Sequence, residues 1–168
     1  MATNVKNKVL HTAAKLFISQ GYEKTSLRVL SKESGVNYGS ITNAFESKEN
    51  ILCELVEFVL EGQFETTSKL LKDITNDKIL FYGAETVLQL YMAESSEHIR
   101  EMYNVSYSLP KTSEIIYKSI TKKFQYIFSD HLKDYDAKDF YYVELASAGI
   151  MRNYMSKPCD MFFTMDMK

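Results

Sequence analysis

Tryptophan is absent from this 168-residue chain, and proline occurs only twice, at Pro110 and Pro158, beside six glycines. So few breakers, and no alternation of apolar and polar residues long enough to require a strand, exclude a β-rich fold and point to an all-α protein. The two cysteines, Cys53 and Cys159, lack CxxC or metal spacing and read as reduced apolar side chains rather than a disulfide. No apolar run approaches the roughly 20 residues that span a bilayer, and the N-terminus lacks the apolar core of a signal peptide. The expectation is therefore a soluble, cytoplasmic protein with no membrane partner.

Enzyme signatures are missing too. The three histidines, His11, His98 and His131, stand singly without zinc spacing, and no Gly-rich phosphate loop occurs. Ser119 to Lys122 matches S-x-x-K, but the companion motifs of that catalytic pattern are absent. Glu54, Glu57, Glu61 and Glu65 recur along one helix without the Glu-x-x-His partners of a carboxylate metal bundle, and read better as a solvated acidic face. No catalytic residue, metal site or cofactor is expected.

A content of 45% hydrophobic and 25% charged residues is enough for one sizeable core. The net charge of -2 conceals an asymmetry: residues 1–48 hold seven Lys/Arg against three Asp/Glu, leaving thirteen against nineteen for residues 49–168. A basic head on an acidic body attracts polyanions to one end, although a local excess of this size is also ordinary fluctuation.

Periodicity and capping residues set out the helices. The first runs from about Thr3 to Gln20, with Val9, Leu10, Ala13, Ala14 and Phe17 inward and Gly21 ending it. A short second follows Thr25 and Ser26 and stops at Gly35; a third follows Asn37 and reaches about Ala44. Ser47 caps a long fourth, with Ile51, Leu52, Leu55, Val59 and Phe64 as its apolar stripe. Four more are expected at about 77–93, 96–108, 113–132 and 137–156, with Pro110 and Pro158 in gaps and Asn76 and Asp136 as N-caps. The segment "PCDMFFTMDMK" opens like a further apolar helix and then stops, which suggests a shortened chain or a dimer surface built from few helices.

Two short helices joined by "SGVN" match a helix-turn-helix, with Val36 plugging the angle between them and Ile41 and Phe45 holding the second against the first. Tyr38, Gly39, Ser40, Thr42 and Asn43 then point outward. Glycine at 39 costs helix stability but permits close approach to a major groove, where Tyr38, Ser40 and Asn43 can touch base edges and Thr42 a phosphate. The alternative is that Gly39 relaxes a tight turn and the polar face is solvated. Lys48 opposes the macrodipole in the first turn of the fourth helix, a position that a bound phosphate would make favourable; otherwise it is a solvated side chain paired with a glutamate.

The segment "VLHTAAKLFISQGYEKTSLRVLSKESGVNYGSITNAFESKENIL", Val9 to Leu52, resembles the TetR family of bacterial transcriptional regulators. Its AA and LF pairs, its G-Y and T-S signals, the G-V turn, the third-helix glycine with Phe45 and the S-K-E opening of the fourth helix carry that likeness. The resemblance implies that Ser26 and Arg28 also meet DNA, beside Tyr38, Gly39, Ser40, Thr42 and Asn43, with Lys48 on a phosphate. The family usually has tyrosine at the place of Thr42 and often an aromatic residue or histidine at that of Ala44, which shifts weight onto Tyr38.

Ten of twelve tyrosines, eight of ten phenylalanines and seven of eight methionines lie beyond residue 48. This enrichment suits an apolar cavity with phenolic handles, Tyr82, Tyr91, Met92, Tyr103, Tyr107, Phe124 and Phe128 being candidate lining, or else ordinary core packing. The resemblance implies a small-molecule effector and a homodimer. The expected architecture is a three-helix reading unit over residues 1–48, joined by a long fourth helix to an effector-binding and dimerisation bundle over 49–168. The expected function is a repressor that binds an inverted repeat in double-stranded DNA and is released by a small apolar or aromatic effector; the alternative is a DNA-binding dimer acting through protein contacts alone. The helix near 139–155 is the expected dimer surface, through Tyr142, Leu145, Ala146, Ala148, Gly149, Ile150 and Met151.

Overall fold

A computed structural model describes residues 2–156, apart from the side chains of Ala2, Thr3 and Phe64. Phe64's place in the fourth-helix stripe, Cys159 and the apolar segment after Pro158 thus lie outside the described residues. Eight helices follow one another there: α1 (Ala2–Gln20), α2 (Leu27–Ser34), α3 (Tyr38–Phe45), α4 (Lys48–Leu71), α5 (Lys78–Ser95), α6 (Glu97–Ser108), α7 (Pro110–Phe128) and α8 (Ala137–Ser156). None is long and apolar enough to cross a membrane.

Local chemistry fixes the first four. Ser26, Asn37 and Ser47 each accept a backbone N–H in the first turn of α2, α3 and α4, from Val29, Gly39 and Asn50. Thr25, the other cap candidate of α2, instead turns inward, where its hydroxyl donates to the Gly21 carbonyl at 2.8 Å and accepts from Gln20. Gly21 ends α1 with a φ of 92°. Val9, Ala13 and Phe17 of α1 meet Leu30, Val36, Ile41, Phe45, Ile51 and Leu52 in one core, with Tyr22 tilted onto Phe17 at 5.1 Å between ring centroids. Lys6 ties α1 to α4 through Glu54 at 2.6 Å.

The body departs from the expected boundaries where a side chain reassigns a helix start. Asp77, not Asn76, caps α5, accepting from the Ile79 amide at 2.8 Å. Pro110 is not in a gap: it takes the first position of α7, where its missing N–H costs nothing. Asp136 caps α8 as expected, with the Lys138 and Asp139 amides on its carboxylate. Along α4, Ile51 and Leu52 are buried, whereas Val59 is 46% exposed, because α4 has by then left the head core and borders open space.

α8 presents two different faces. Phe140, Glu144, Ala148 and Met155 recur at helical spacing and are buried against α6 and α7, with Met151 on the cavity wall; Tyr142, Ala146 and Gly149 face outward, and Ile150 is exposed at the cavity rim. Ala148 and Met151 therefore belong to the interior and not to the surface assigned to them from the sequence.

Candidate nucleic-acid interface and ligand cavity

The turn between α2 and α3 is locked from both sides. Gly35 adopts the left-handed conformation at φ 63°, Ser31 Oγ donates to the Val36 carbonyl at 2.7 Å, and the Val36 amide donates to Ser34 Oγ at 3.2 Å. Val36, Ile41 and Phe45 are buried, so α3 has no freedom to rotate on its support. Its other face carries Tyr38, Gly39, Ser40 and Asn43 outward, Tyr38 at 46% exposure, with Thr42 half-buried and its hydroxyl donating back to the Tyr38 and Gly39 carbonyls. Gly39 has a local reason as well as an outward-facing one: a Cβ there would lie 3.2 Å from Asn37 Oδ1, the atom that caps the helix.

Ser26 and Arg28 sit exposed at the start of α2, Ser26 with its oxygen on the Val29 amide. Among the described residues Lys48 pairs with no glutamate. Its ammonium donates to the Tyr22 carbonyl at 3.0 Å and lies 3.8 Å from the centre of the Tyr22 ring. Partial burial lowers its pKa, which nearby Glu23 and Glu101 counter. Burial pushes the Tyr22 phenol up to about 12. Lys48 thus stands at the N-terminus of α4 with its head partly stripped of water, against Tyr22.

Behind this head, α1 and α4 to α8 border an open-sided cavity of about 1240 Å³. Tyr82, Met92, Tyr103, Tyr107 and Phe124 line it. Tyr91 does not: α5 turns Glu85, Gln89, Met92 and Ala93 inward, leaving Tyr91 on the opposite side at 59% exposure. Phe128 does not line it either, and instead backs the wall edge-on against Tyr82 and Phe124 at 5.7 and 5.9 Å.

The wall also holds charge that the aromatic count concealed. Glu85 is buried in an ion pair with Lys123. Glu144 is 2% exposed and receives the Tyr107 hydroxyl at 3.5 Å. Burial pushes its carboxyl up to about 7, against the lowering effect of that hydroxyl. Burial likewise raises Tyr103 to about 12 and holds the Tyr107 phenol far above its usual value. The sequence signal was the spacing of 140, 144, 148 and 155, which puts one acid in an otherwise apolar stripe.

Cavity and head share a helix besides α4. α6 lines the cavity with Ile99, Met102, Tyr103, Ser106 and Tyr107. From its other side, His98 Nδ1 donates to the Ile18 carbonyl at 3.0 Å, and Glu101 accepts the Glu23 amide at 3.0 Å. A Cβ on Gly21 would collide with that Glu101 carboxylate. α7 docks nearby: Glu49 accepts the Lys111 amide at 2.9 Å, and Lys111 Nζ donates to Asn50 at 2.8 Å.

A rigid helix-turn-helix on a hollow helical body defines a class of DNA-binding regulator. Residues 9–55 match the family model described as bacterial regulatory proteins, tetR family. The chain is 43% identical over 54 residues to the HTH-type transcriptional regulator YxaF of Bacillus subtilis (strain 168), a match covering 32% of this chain and 28% of that one. It is 28% identical over 131 residues to the HTH-type transcriptional regulator QacR of Staphylococcus aureus (strain Mu50), covering 77% of this chain and 68% of QacR. Its fold is similar to that of Thermus thermophilus FadR, a TetR-family transcriptional repressor solved with lauroyl-CoA, at a TM-score of 0.65 and 14% identity, over 90% of this chain and 83% of the other. Residues 9–55 are thus similar to the helix-turn-helix segment of the TetR family, and the chain spans about a third of the length of the first two curated relatives it matches, YxaF and YuxN of Bacillus subtilis.

Proposed function

We propose that this protein is a homodimeric transcriptional repressor that binds an inverted repeat in double-stranded DNA and leaves it when a small apolar or aromatic effector fills the body cavity. The observation that carries the reading is the sharing of α6: one side lines the cavity, and the other holds the end of α1 and the turn before α2 through His98 and Glu101. A ligand that displaces α6 therefore moves the support of the reading helix. An effector acts only through such a difference in affinity between two conformations.

In this reading residues 1–48 form the reading unit and the remainder the effector and dimer unit. Tyr38, Gly39, Ser40 and Asn43 approach base edges, Thr42 exchanges an internal hydrogen bond for a phosphate, and Ser26, Arg28 and Lys48 hold the backbone. Lys48 reaches a phosphate by leaving, or sharing its protons with, the Tyr22 carbonyl. The outward face of α8 pairs two copies. The acyl-CoA of the Thermus neighbour is a poor guide to the effector, because the cavity here offers a single lysine, already paired, against five glutamates.

The test is an anisotropy titration of the full chain on promoter-proximal DNA, with and without an effector drawn from an aromatic panel. The proposal expects sequence-selective binding that at least one cavity ligand weakens tenfold or more. Selective binding that no cavity ligand alters contradicts the effector half; binding without preference over random duplex contradicts the whole.

A further inference from the structure

Between Lys78 and Glu94, α5 carries one charged residue, Glu85, and that one is buried on the cavity side. The opposite side is uncharged and apolar. Leu80, Gly83, Val87 and Tyr91 follow one line of the helix there and are exposed, Val87 at 65% and Leu80 at 56%, with Ala84 and Leu88 half-buried at its margin. Large apolar residues at helical spacing, with no charge among them, are the pattern of an interior or an interface. Gly83 points the same way. Glycine costs stability inside a helix, and a Cβ here meets open space, so nothing among the described residues requires it. The close approach of another helix would. The two ends of the line also differ in charge: residues 69–78 hold three lysines against two aspartates, and residues 94–101 three glutamates against one arginine.

We propose that this line is a docking surface for a second copy of the chain, joined α5 to α5 in antiparallel register about a two-fold axis between residues 85 and 86. That register sets Leu80 against Tyr91 of the other copy, and the small Gly83 and Ala84 against its Leu88 and Val87, so that bulk meets gap on both sides of the axis. A parallel register stacks each residue on its own counterpart and leaves glycine facing glycine. Antiparallel pairing also brings the lysine-richer end of each copy to the glutamate-richer end of the other, and sets the helix dipoles in opposition. The reading head lies off the Tyr91 end: α4 starts in the head and meets α5 where Gln89 donates to Gln63 at 3.0 Å, and α6 returns to the head through His98 on the Ile18 carbonyl. Two heads therefore point to opposite ends of the paired α5 helices. This contact is separate from the α8 pairing that would set two heads on one inverted repeat, and it does not depend on it.

Sedimentation equilibrium of the full chain over a wide range of concentration tests this contact without DNA or ligand. The mean mass is expected to rise with concentration, by a step that Val87→Asp weakens at least tenfold; Val87 is too exposed for the change to threaten folding. Gly83→Leu is expected to weaken the same step. It adds apolar surface, so a merely sticky patch would associate more tightly, and that result overturns the inference. So does a mass that does not rise, a comparison needing no variant, or one that rises equally in Val87→Asp. Should the mass stay fixed while Val87→Asp lowers the urea midpoint, the line is covered within one copy and the inference falls; should neither change, the line is left to a partner of another kind and the inference falls too. Affinity for a single DNA fragment is expected to stay within twofold in Val87→Asp. Its loss together with the association would overturn the opposed placing of the heads, and the antiparallel contact with it.

Discussion

Glu144 makes the folded chain sensitive to pH in a direction opposite to that of an ordinary salt-bridged acid. Its carboxyl titrates near 7 in the fold and near 4.5 when freely solvated, so the folded state holds the proton more tightly. The stability this supplies is full below about pH 4.5 and is lost as pH rises through about 7, amounting to about 3 kcal/mol over that window. The groups facing it are Tyr103 and Tyr107 on α6, with Tyr117 on α7 behind them. Urea unfolding at pH 5 and pH 8 is expected to show the loss, and Glu144→Gln to flatten it; an unflattened profile would assign the dependence to another group. On the DNA side, Asn43→Ala is expected to relax preference at particular base pairs. Lys48→Ala is expected to weaken all sequences alike and reduce the salt slope by about one, while the Thr25 amide still holds the Tyr22 carbonyl. Equal loss of specificity in both variants would show the roles to be misassigned. The caps at Ser26, Asn37 and Ser47 were legible because capping is chemistry between residues two or three apart. Glu144 was not, since an acid in a helix reads as surface unless its spacing to Phe140 and Ala148 is weighed first.

At the level of elements, a long helix that runs from the head into the cavity wall invites a lever, and Gly62 is the place in α4 where one would bend. α4 runs through Gly62 without interruption, and a Cβ there meets open space. Gly62→Ala is therefore expected to stabilise the chain by about 0.8–1 kcal/mol, read as a shift of the urea midpoint. If Gly62 is a hinge, the same change alters the effect of ligand on DNA affinity more than it alters ligand affinity; an unchanged coupling leaves α6 as the principal link. Glu101→Ala tests that link directly. It frees the α1–α2 turn from α6 without touching a cavity-lining residue, so ligand affinity is expected to stay within about twofold while the ligand's effect on DNA affinity falls; full coupling in the variant would remove Glu101 from the path. The sequence hid this docking because Glu101 and Glu23 are 78 residues apart and no local pattern joins them. It also misplaced the start of α7, since a proline reads equally well as a gap or as a first helical residue.

Across the whole molecule, the proposed pairing of two copies follows from the length of α3. A helix the length of α3 offers a few base contacts, each contributing roughly 1–3 kcal/mol of discrimination, too little to select one site in a genome. Two copies joined through the outward face of α8 would double the readout and place both α3 helices on one side of the duplex about 34–36 Å apart, or further if the DNA is distorted. Tyr142, Ala146, Gly149 and Ile150 supply an exposed face where small residues permit close helix approach. The measurement that bears most directly on the account is a titration of the chain against fragments of its own genome, read by anisotropy across a range of salt and followed by footprinting of the tightest fragment. The account predicts a protected inverted repeat with half-sites one turn or more apart, occupied by two copies, bound at least about 10³-fold more tightly than random duplex and weakening steeply with salt. Equal affinity for every fragment, or a single protected half-site occupied by one copy, would contradict it.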